Sequence, residues 1–205
     1  MPAKPEILRL RGAEIAPWLD QVARLRVQVF REWPYLYDGR ADTDYERQYL
    51  SAYVNSADSV LLLALDGETV VGASTGLPMV DEDEAFTRPL REAGLPPEQV
   101  FYFGESVLLR GYRGLGVGNA FFEGREAHAR ELGRFRWTAF CAVDRDPDDP
   151  RRPPDYRAND SFWHKRGYAR LPGLAMTYPW DEVGVGRIDH QLTFWLRDWE
   201  LEPLG

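Results

Sequence analysis

The chain of 205 residues has one cysteine, Cys141, which excludes an internal disulfide and any cysteine-based metal cluster. It is short of positive charge. Its 25 Lys and Arg against 33 Asp and Glu leave a formal net charge of −8, unsuited to gripping nucleic acid through its phosphates. It lacks an apolar run long enough to span a bilayer. Met1-Pro-Ala-Lys-Pro5 leads into a short strand rather than a secretory signal, so the expected setting is reduced and cytoplasmic, with no membrane contact. No internal repeat and no linker rich in Gly and Ser divides the chain. What is present is an ordinary globular composition, 44% hydrophobic and 28% charged, in a length that suits one domain over residues 1–205. The acidic balance leans toward a cationic or neutral small substrate.

Periodicity predicts the elements. Glu6 to Arg11 alternates as a strand, and Leu19, Val22, Leu25 and Val29 recur at helical spacing within Ala16–Arg31. Asp42 or Thr43 is placed to cap a second helix through Tyr45, Tyr49, Leu50 and Tyr53. Ser59–Leu65 and Thr69–Ser74 flank Asp66-Gly67, a favoured hairpin turn. A short helix over Phe86–Ala93 closes at Gly94. Phe101–Leu109 reads as a strand, Asn119–Leu132 as a helix capped by Gly133, and Trp137–Val143 as a buried strand. Asp144–Tyr156 is a loop. A short helix over Asp160–Arg166, with Asn159 as its cap, precedes strands near Ala175–Tyr178 and Gln191–Leu196. The order is that of a mixed α/β sheet.

Arg113-Gly-Leu-Gly-Val-Gly118 stands between the strand at Phe101–Leu109 and the helix at Asn119. A glycine turn at a helix N-terminus offers bare backbone N–H groups to an anion such as phosphate or pyrophosphate. No Gly-Lys-Ser or Gly-Lys-Thr closes it, and no third glycine falls three residues after a Gly-x-Gly pair, so neither the P-loop nor the dinucleotide pattern is met. On spacing alone, the glycines equally suit a tight turn with close helix–strand contact.

A second segment, Asn159-Asp-Ser-Phe-Trp-His-Lys-Arg-Gly-Tyr168, is a short helix ending at a glycine before a strand. Together with Arg113-x-x-Gly116-x-Gly118 it resembles the GCN5-related N-acetyltransferase (GNAT) family, with Lys165, Gly167 and Tyr168 in register with the family's second motif. The resemblance implies an α/β fold in a single domain, with a mixed, mostly antiparallel sheet flanked by helices. It implies transfer of an acetyl or other short acyl group from acetyl-CoA, or another acyl-CoA, to a primary amine on a small molecule or peptide. The amine would attack directly in a ternary complex, and no metal is called for. Residues 113–119 (Arg113, Gly114, Leu115, Gly116, Val117, Gly118 and Asn119) would form the pyrophosphate turn. Val107, Leu108 and Leu109 would pair with the pantetheine arm, and the N–H of Leu108 would face the thioester oxygen as it gains charge. Asn159 and Trp163 would flank the arm's far side.

The remaining chemistry is deprotonation. An alkyl ammonium has a pKa of roughly 10, so making it neutral at pH 7 costs about 4 kcal/mol. Glu105 is the candidate base. Alternation puts it on one face with Phe103 and Val107, where apolar neighbours would raise its pKa. It serves equally as a partner for a basic side chain or for the substrate ammonium. Many members of the family carry a tyrosine as general acid where this chain has Trp163, and indole cannot return a proton. Tyr168, Tyr156, Tyr102, Tyr35 and Tyr37 are the phenols at hand, and the sequence does not choose among them. The substitution at Trp163 also favours the competing reading, an acyl-CoA-binding sensor without chemistry.

Tyr35 and Tyr37 lie in a connection that commonly lines the family's acceptor pocket. His128 reads as a packing histidine, and His164 and His190 have no partners at metal-ligand spacing. Cys141 reads as a small buried hydrophobe, and Asp144–Asp149 as a solvated loop. Phe194–Trp199 is expected to be an edge strand serving a homodimer.

Overall fold

Each predicted segment is present, with two changes that matter for the site. The computed structural model describes residues 3–39 and 43–201, and the side chains of residues 43 and 44 also lie outside the description. The strands are β1 (Glu6–Leu10), β2 (Val60–Asp66), β3 (Thr69–Pro78), β4 (Val100–Tyr102), β5 (Ser106–Leu108), β6 (Trp137–Val143), β7 (Ala169–Glu182) and β8 (Gly186–Asp198). The helices are α1 (Leu19–Phe30), α2 (Thr43–Asn55), α3 (Glu84–Glu92), α4 (Val117–Leu132) and α5 (Asp160–Lys165). The sheet runs β1-β2-β3-β4-β6-β8-β7, with β5 lying beside β3. All its ladders are antiparallel except β4 with β6, so the sheet is mixed and mostly antiparallel.

Local chemistry explains the boundaries. The first helical segment opens as a 3₁₀ turn, Gly12–Trp18, before α1. The expected cap at Asp42 or at the Thr43 side chain falls outside the described residues. Gly67 turns the β2–β3 hairpin at a φ of +59°, a backbone region that glycine enters freely. The side chain of Asp83 caps α3 by accepting from the Ala85 N–H at 2.9 Å. Gly133 ends α4 with a φ of +70°. Phe121 and Phe122 of α4 pack on Leu62, Phe103 and Phe140, while α1 and α2 bury Val22, Leu25, Leu50 and Tyr53 against Leu61, Leu63 and Val107. The sheet is thus covered on both faces.

The first change corrects the strand at Phe101–Leu109. It is two short strands, because the chain changes partner at Phe103–Glu105. The Phe103 N–H donates to the Ala139 carbonyl of β6 at 2.8 Å, whereas the Gly104 N–H donates to the Thr75 carbonyl of β3 at 3.2 Å. The break resets the alternation. Phe103 packs on the α4 face, while Val107 joins the α1 and α2 core and Glu105 meets Arg26 of α1. Glu105 therefore shares a face with Val107 but not with Phe103.

The second change concerns Phe194–Trp199. It is no sheet edge. Strand β8 lies between β6 and β7, with Phe194 and Trp195 buried, and β7 is the outer strand. The edge expected for a homodimer is closed by β7. Both late strands also run further than their hydrophobic cores, to 14 and 13 residues, because each supplies the other's ladder.

Candidate active site

Strand β4 pairs with β6 only as far as Tyr102 and Ala139. Beyond that point β5 keeps to β3, and β6 continues beside β8, so the sheet divides into a wedge. Gly104 sits at the point of division because it has no side chain. A Cβ there would overlap the Tyr53 hydroxyl and stand 2.8 Å from Thr75 Oγ1. On the α4 side of the break lies the buried guanidinium of Arg125. It lies over the rings of Phe103 and Phe122, at 4.2 and 4.8 Å, and reaches the carbonyls of Thr75 and Glu105 at 3.4 Å. Burial holds its pKa down at about 10.

One lip of the wedge is backbone. The Leu109 N–H donates to the Val71 carbonyl at 2.9 Å, and the Thr75 N–H to the Glu105 carbonyl at 3.0 Å. The register pairs Ala73 with Val107 between them. Antiparallel alternation then turns the N–H groups of Ser106 and Leu108 to the opposite edge, which no strand covers among the described residues. Leu108 is therefore placed to donate outward. Val107 faces β3, and Leu109 is committed at both its N–H and its carbonyl, which accepts from the Tyr112 N–H at 3.0 Å. Of the expected Val107, Leu108 and Leu109, only Leu108 thus turns its N–H to the open edge, together with Ser106; Val107 and Leu109 face β3.

The glycine turn follows. Gly114 and Gly116 adopt φ of +81° and +80°, and Gly116 caps α4 without a side-chain hydrogen bond. A Cβ built on Gly114, Gly116 or Gly118 meets nothing within 4 Å, so no close helix–strand contact requires these glycines. The first amide bonded within the helix is that of Ala120, donating to the Gly116 carbonyl at 3.2 Å. The N–H groups of Leu115, Gly116, Gly118 and Asn119 have no acceptor among the described residues. Val117 buries its side chain in the core, and Arg113 is exposed with Nη2 3.2 Å from Glu32 Oε2. Leu108, Leu115 and Trp163 rim one core cluster, which brings β5, the turn and α5 to the same side. The indole of Trp163 packs against Phe140 and Trp195, with centroids 4.9 and 5.0 Å away. Asn159 starts α5 with an exposed side chain that makes no capping bond.

The other lip is built of side chains. A cavity of about 110 Å³ lies beside Glu105, lined by rings that include Tyr35 and Tyr37. Glu105 is 7% exposed. Its Oε2 pairs closely with Arg26 Nη1, and Arg26 Nε donates to Glu46 Oε2 at 2.8 Å. Burial pushes the Glu105 carboxyl above the ordinary carboxylate range, against the pull of Arg26. Its other oxygen, Oε1, is buried without a hydrogen-bond partner. Tyr37 donates its hydroxyl to Glu46 Oε1 at 2.7 Å. Neighbouring Glu82 has a partly open surface but an enclosed carboxyl, which burial raises to about 7.

The remaining candidates separate clearly. Tyr102 lines the cavity with Tyr35 and Tyr37. Tyr168 is core, its hydroxyl tied to Thr138 at 2.8 Å and Glu126 at 3.1 Å, and Tyr156 packs on Trp33. Cys141 lines the cavity, but burial pushes its thiol up, which disfavours an acyl-cysteine. His128 packs on Phe101, with Nε2 2.8 Å from the Asp58 carbonyl, and burial lowers its pKa. Asp144 and Asp149 are held by Arg170 and Arg151.

Arg26, Glu46 and Tyr49 escape the sequence reading because the helical period marks them only as one face of a helix. So does a clamp behind the cavity. Arg145 donates to the carbonyls of Pro34 and Tyr35, at 2.5 and 2.8 Å, and to buried Glu182 at 2.6 Å. His190 also reaches Glu182 at 2.8 Å and stacks on Trp180. Three basic or acidic residues, Arg145, Glu182 and His190, thus fix the Tyr35 loop, and no local pattern announces them.

The architecture is that of the GCN5-related N-acetyltransferase fold. An N-acetyltransferase from Staphylococcus aureus Mu50 superposes with a TM-score of 0.60 at 9% identity, over 94% of this chain and 98% of that one. The protein yncA of Salmonella typhimurium, solved with its cofactor acetyl-CoA, gives 0.58 at 15% identity, over 96% and 95%. A GCN5-related N-acetyltransferase from Kribbella flavida gives 0.56 at 19% identity, over 94% and 97%. No family model and no curated protein matches the sequence. No helix among the described residues is long and apolar enough to cross a membrane.

Proposed function

We propose that this chain is an acyl-CoA-dependent N-acyltransferase that moves an acetyl or other short acyl group to a primary amine. The observation that carries the reading is the succession of three features along one stretch of chain: a side-chain cavity that ends at Glu105, a free β5 edge that begins at the next residue, and the bare amides of the glycine turn that shares a core cluster with β5. The turn fits a pyrophosphate, because side chains are absent where phosphate oxygens would stand and the unpaired amides lie at a helix N-terminus. Leu115, Gly116, Gly118 and Asn119 would hold it, and Ser106 and Leu108 would pair with the pantetheine arm. When bound, an acyl-CoA supplies an activated thioester: its C–S bond breaks as the C–N bond forms, and the departing thiolate takes a proton from solvent.

The protein's own part is orientation and proton transfer. The Leu108 N–H donates to the carbonyl oxygen as charge develops there. Glu105, held just before β5, accepts the proton that the amine loses and becomes a neutral carboxyl, then releases that proton to solvent; Arg26 holds the carboxylate form that begins each turnover. A second reading, an acyl-CoA sensor without transfer, is favoured by the indole at Trp163 and by the commitment of Glu105 to Arg26.

Gly118→Glu tests the cofactor site. Gly118 has ordinary helical backbone and an open Cβ direction, so glutamate there adds bulk and negative charge without strain. Calorimetric titration with acetyl-CoA should show at least ~100-fold weaker binding, about 2.7 kcal/mol, at unchanged melting temperature. Equal affinity in variant and wild type removes the turn from the site. Acetyl-CoA binding without CoA release for any amine in a broad panel selects the sensor.

A further inference from the structure

The cavity beside Glu105 specifies an acceptor. Its walls are mostly rings, including Phe30 of α1, Tyr35 and Tyr37 of the following connection, Tyr49 of α2, Tyr102 of β4 and Trp180 of β7. Among the described residues, only two charged ones line it, Arg26 and Glu105. Arg26 already donates through Nε to Glu46 and through Nη1 to Glu105, and its guanidinium lies over the Phe30 and Tyr49 rings at 5.2 and 4.4 Å. The ring faces nearest Glu105 therefore already carry a cation. Glu105 Oε1 is buried and accepts no hydrogen bond of normal geometry, although the Tyr49 hydroxyl stands near enough to act on this carboxyl. An unsatisfied buried oxygen is costly, and a ligand N–H would satisfy it. Two carboxyl groups, Glu46 and Glu105, share the one guanidinium of Arg26, and Glu105 Oε1 is the oxygen this arrangement leaves over for a ligand cation.

From this we infer that the acceptor is a small monoamine with an aromatic or apolar body, a claim that rests on the acyltransferase reading and sharpens it. The ammonium meets Glu105 Oε1 and the body lies among the rings. The volume of about 110 Å³ is below that of a cavity known to hold benzene, about 150 Å³, so it limits the enclosed body to one ring at most. Among the described residues, a polyamine's second ammonium would find no second carboxylate on the lining and would face Arg26. The carboxylate of an amino acid would face Glu105, and no guanidinium of the described lining is free to receive it, because Arg26 is engaged and Tyr37 is committed to Glu46.

Calorimetric titration of the full chain tests this, with and without saturating CoA, using 2-phenylethylamine, 2-phenylethanol, spermidine and phenylalanine as probes. 2-Phenylethylamine should bind at least tenfold tighter than each of the others. In Glu105→Gln that preference over 2-phenylethanol should vanish, while 2-phenylethanol binds as before. Spermidine or phenylalanine binding as well as 2-phenylethylamine overturns the inference, and so does binding of none of the four. If Glu105→Gln does not fold, the wild-type series decides alone. Amine binding as expected with no acetyl-CoA binding would leave the inference standing and sink the acyltransferase reading. Acetyl-CoA binding with spermidine preferred would do the reverse.

Discussion

The two lips of the wedge are made from different materials. The glycine turn is contiguous, exposed and built from backbone, and its capacity comes from what is missing: three side chains and four internal hydrogen bonds. The cavity beside Glu105 is assembled from side chains on helices, strands and a loop, held by buried charge. A backbone site survives the loss of a neighbouring side chain. A side-chain site fails when one member of its charge network goes. In the acyltransferase reading proposed above, the turn would serve one unchanging ligand part while the cavity would set which partner is accepted.

The largest effect should come from the cavity side. Arg26→Met leaves Glu46 and Glu105 buried without their cation and should cost about 3–5 kcal/mol in urea unfolding. Where the variant still folds, acetyl-CoA affinity should stay within a few-fold of wild type. A cost below about 1 kcal/mol would erase the distinction between the lips.

Glu82 gives the next test. Its carboxyl keeps a proton to about 7 in the fold, whereas an unfolded chain loses it near 4.5. The folded state then holds the extra proton between those values, so this group's contribution to stability falls as pH rises from 4.5 to 7 and is level beyond. The fall is up to about 3 kcal/mol. Urea unfolding at pH 5 and pH 7.5 should show the difference shrinking by that order in Glu82→Gln. An identical pH dependence in variant and wild type would show that the carboxyl titrates normally.

The smallest effect belongs to the turn. Arg113→Ala removes an exposed side chain whose partner, Glu32, is itself exposed. Stability should change by less than about 0.5 kcal/mol. Acetyl-CoA affinity should fall by roughly fivefold or less, under about 1 kcal/mol. A loss as large as that of Gly118→Glu would mean that a side chain, not the backbone, grips the phosphates.

The same contrast explains what could be read in the chain before its structure. Positive-φ glycines at Gly114 and Gly116, the hairpin at Gly67 and the caps at Gly94 and Gly133 are local backbone requirements, and composition displays them directly. Glu105 stood out because it interrupts an apolar run. Its partners did not, since Arg26 sits 79 residues earlier and looks like any charged residue on a helix. The strand break at Gly104 was equally hidden. Nothing local distinguishes it from a glycine in a straight strand, because its cause is the Tyr53 ring, brought there by α2. The closing of the β8 edge was hidden differently: β7 is its local hairpin partner, but its residues are mostly exposed or half-buried and give only a short apolar signal.

The lone parallel ladder among the described residues, β4 with β6, has a kinetic consequence. The β2–β3 and β7–β8 hairpins pair residues close in sequence and can form early, whereas Val100 meets Trp137 only after all of α4 has been placed between them. Neither hairpin contains the cleft. It comes into being when the two halves join, so the cleft should appear with the slowest folding phase rather than with the first helices.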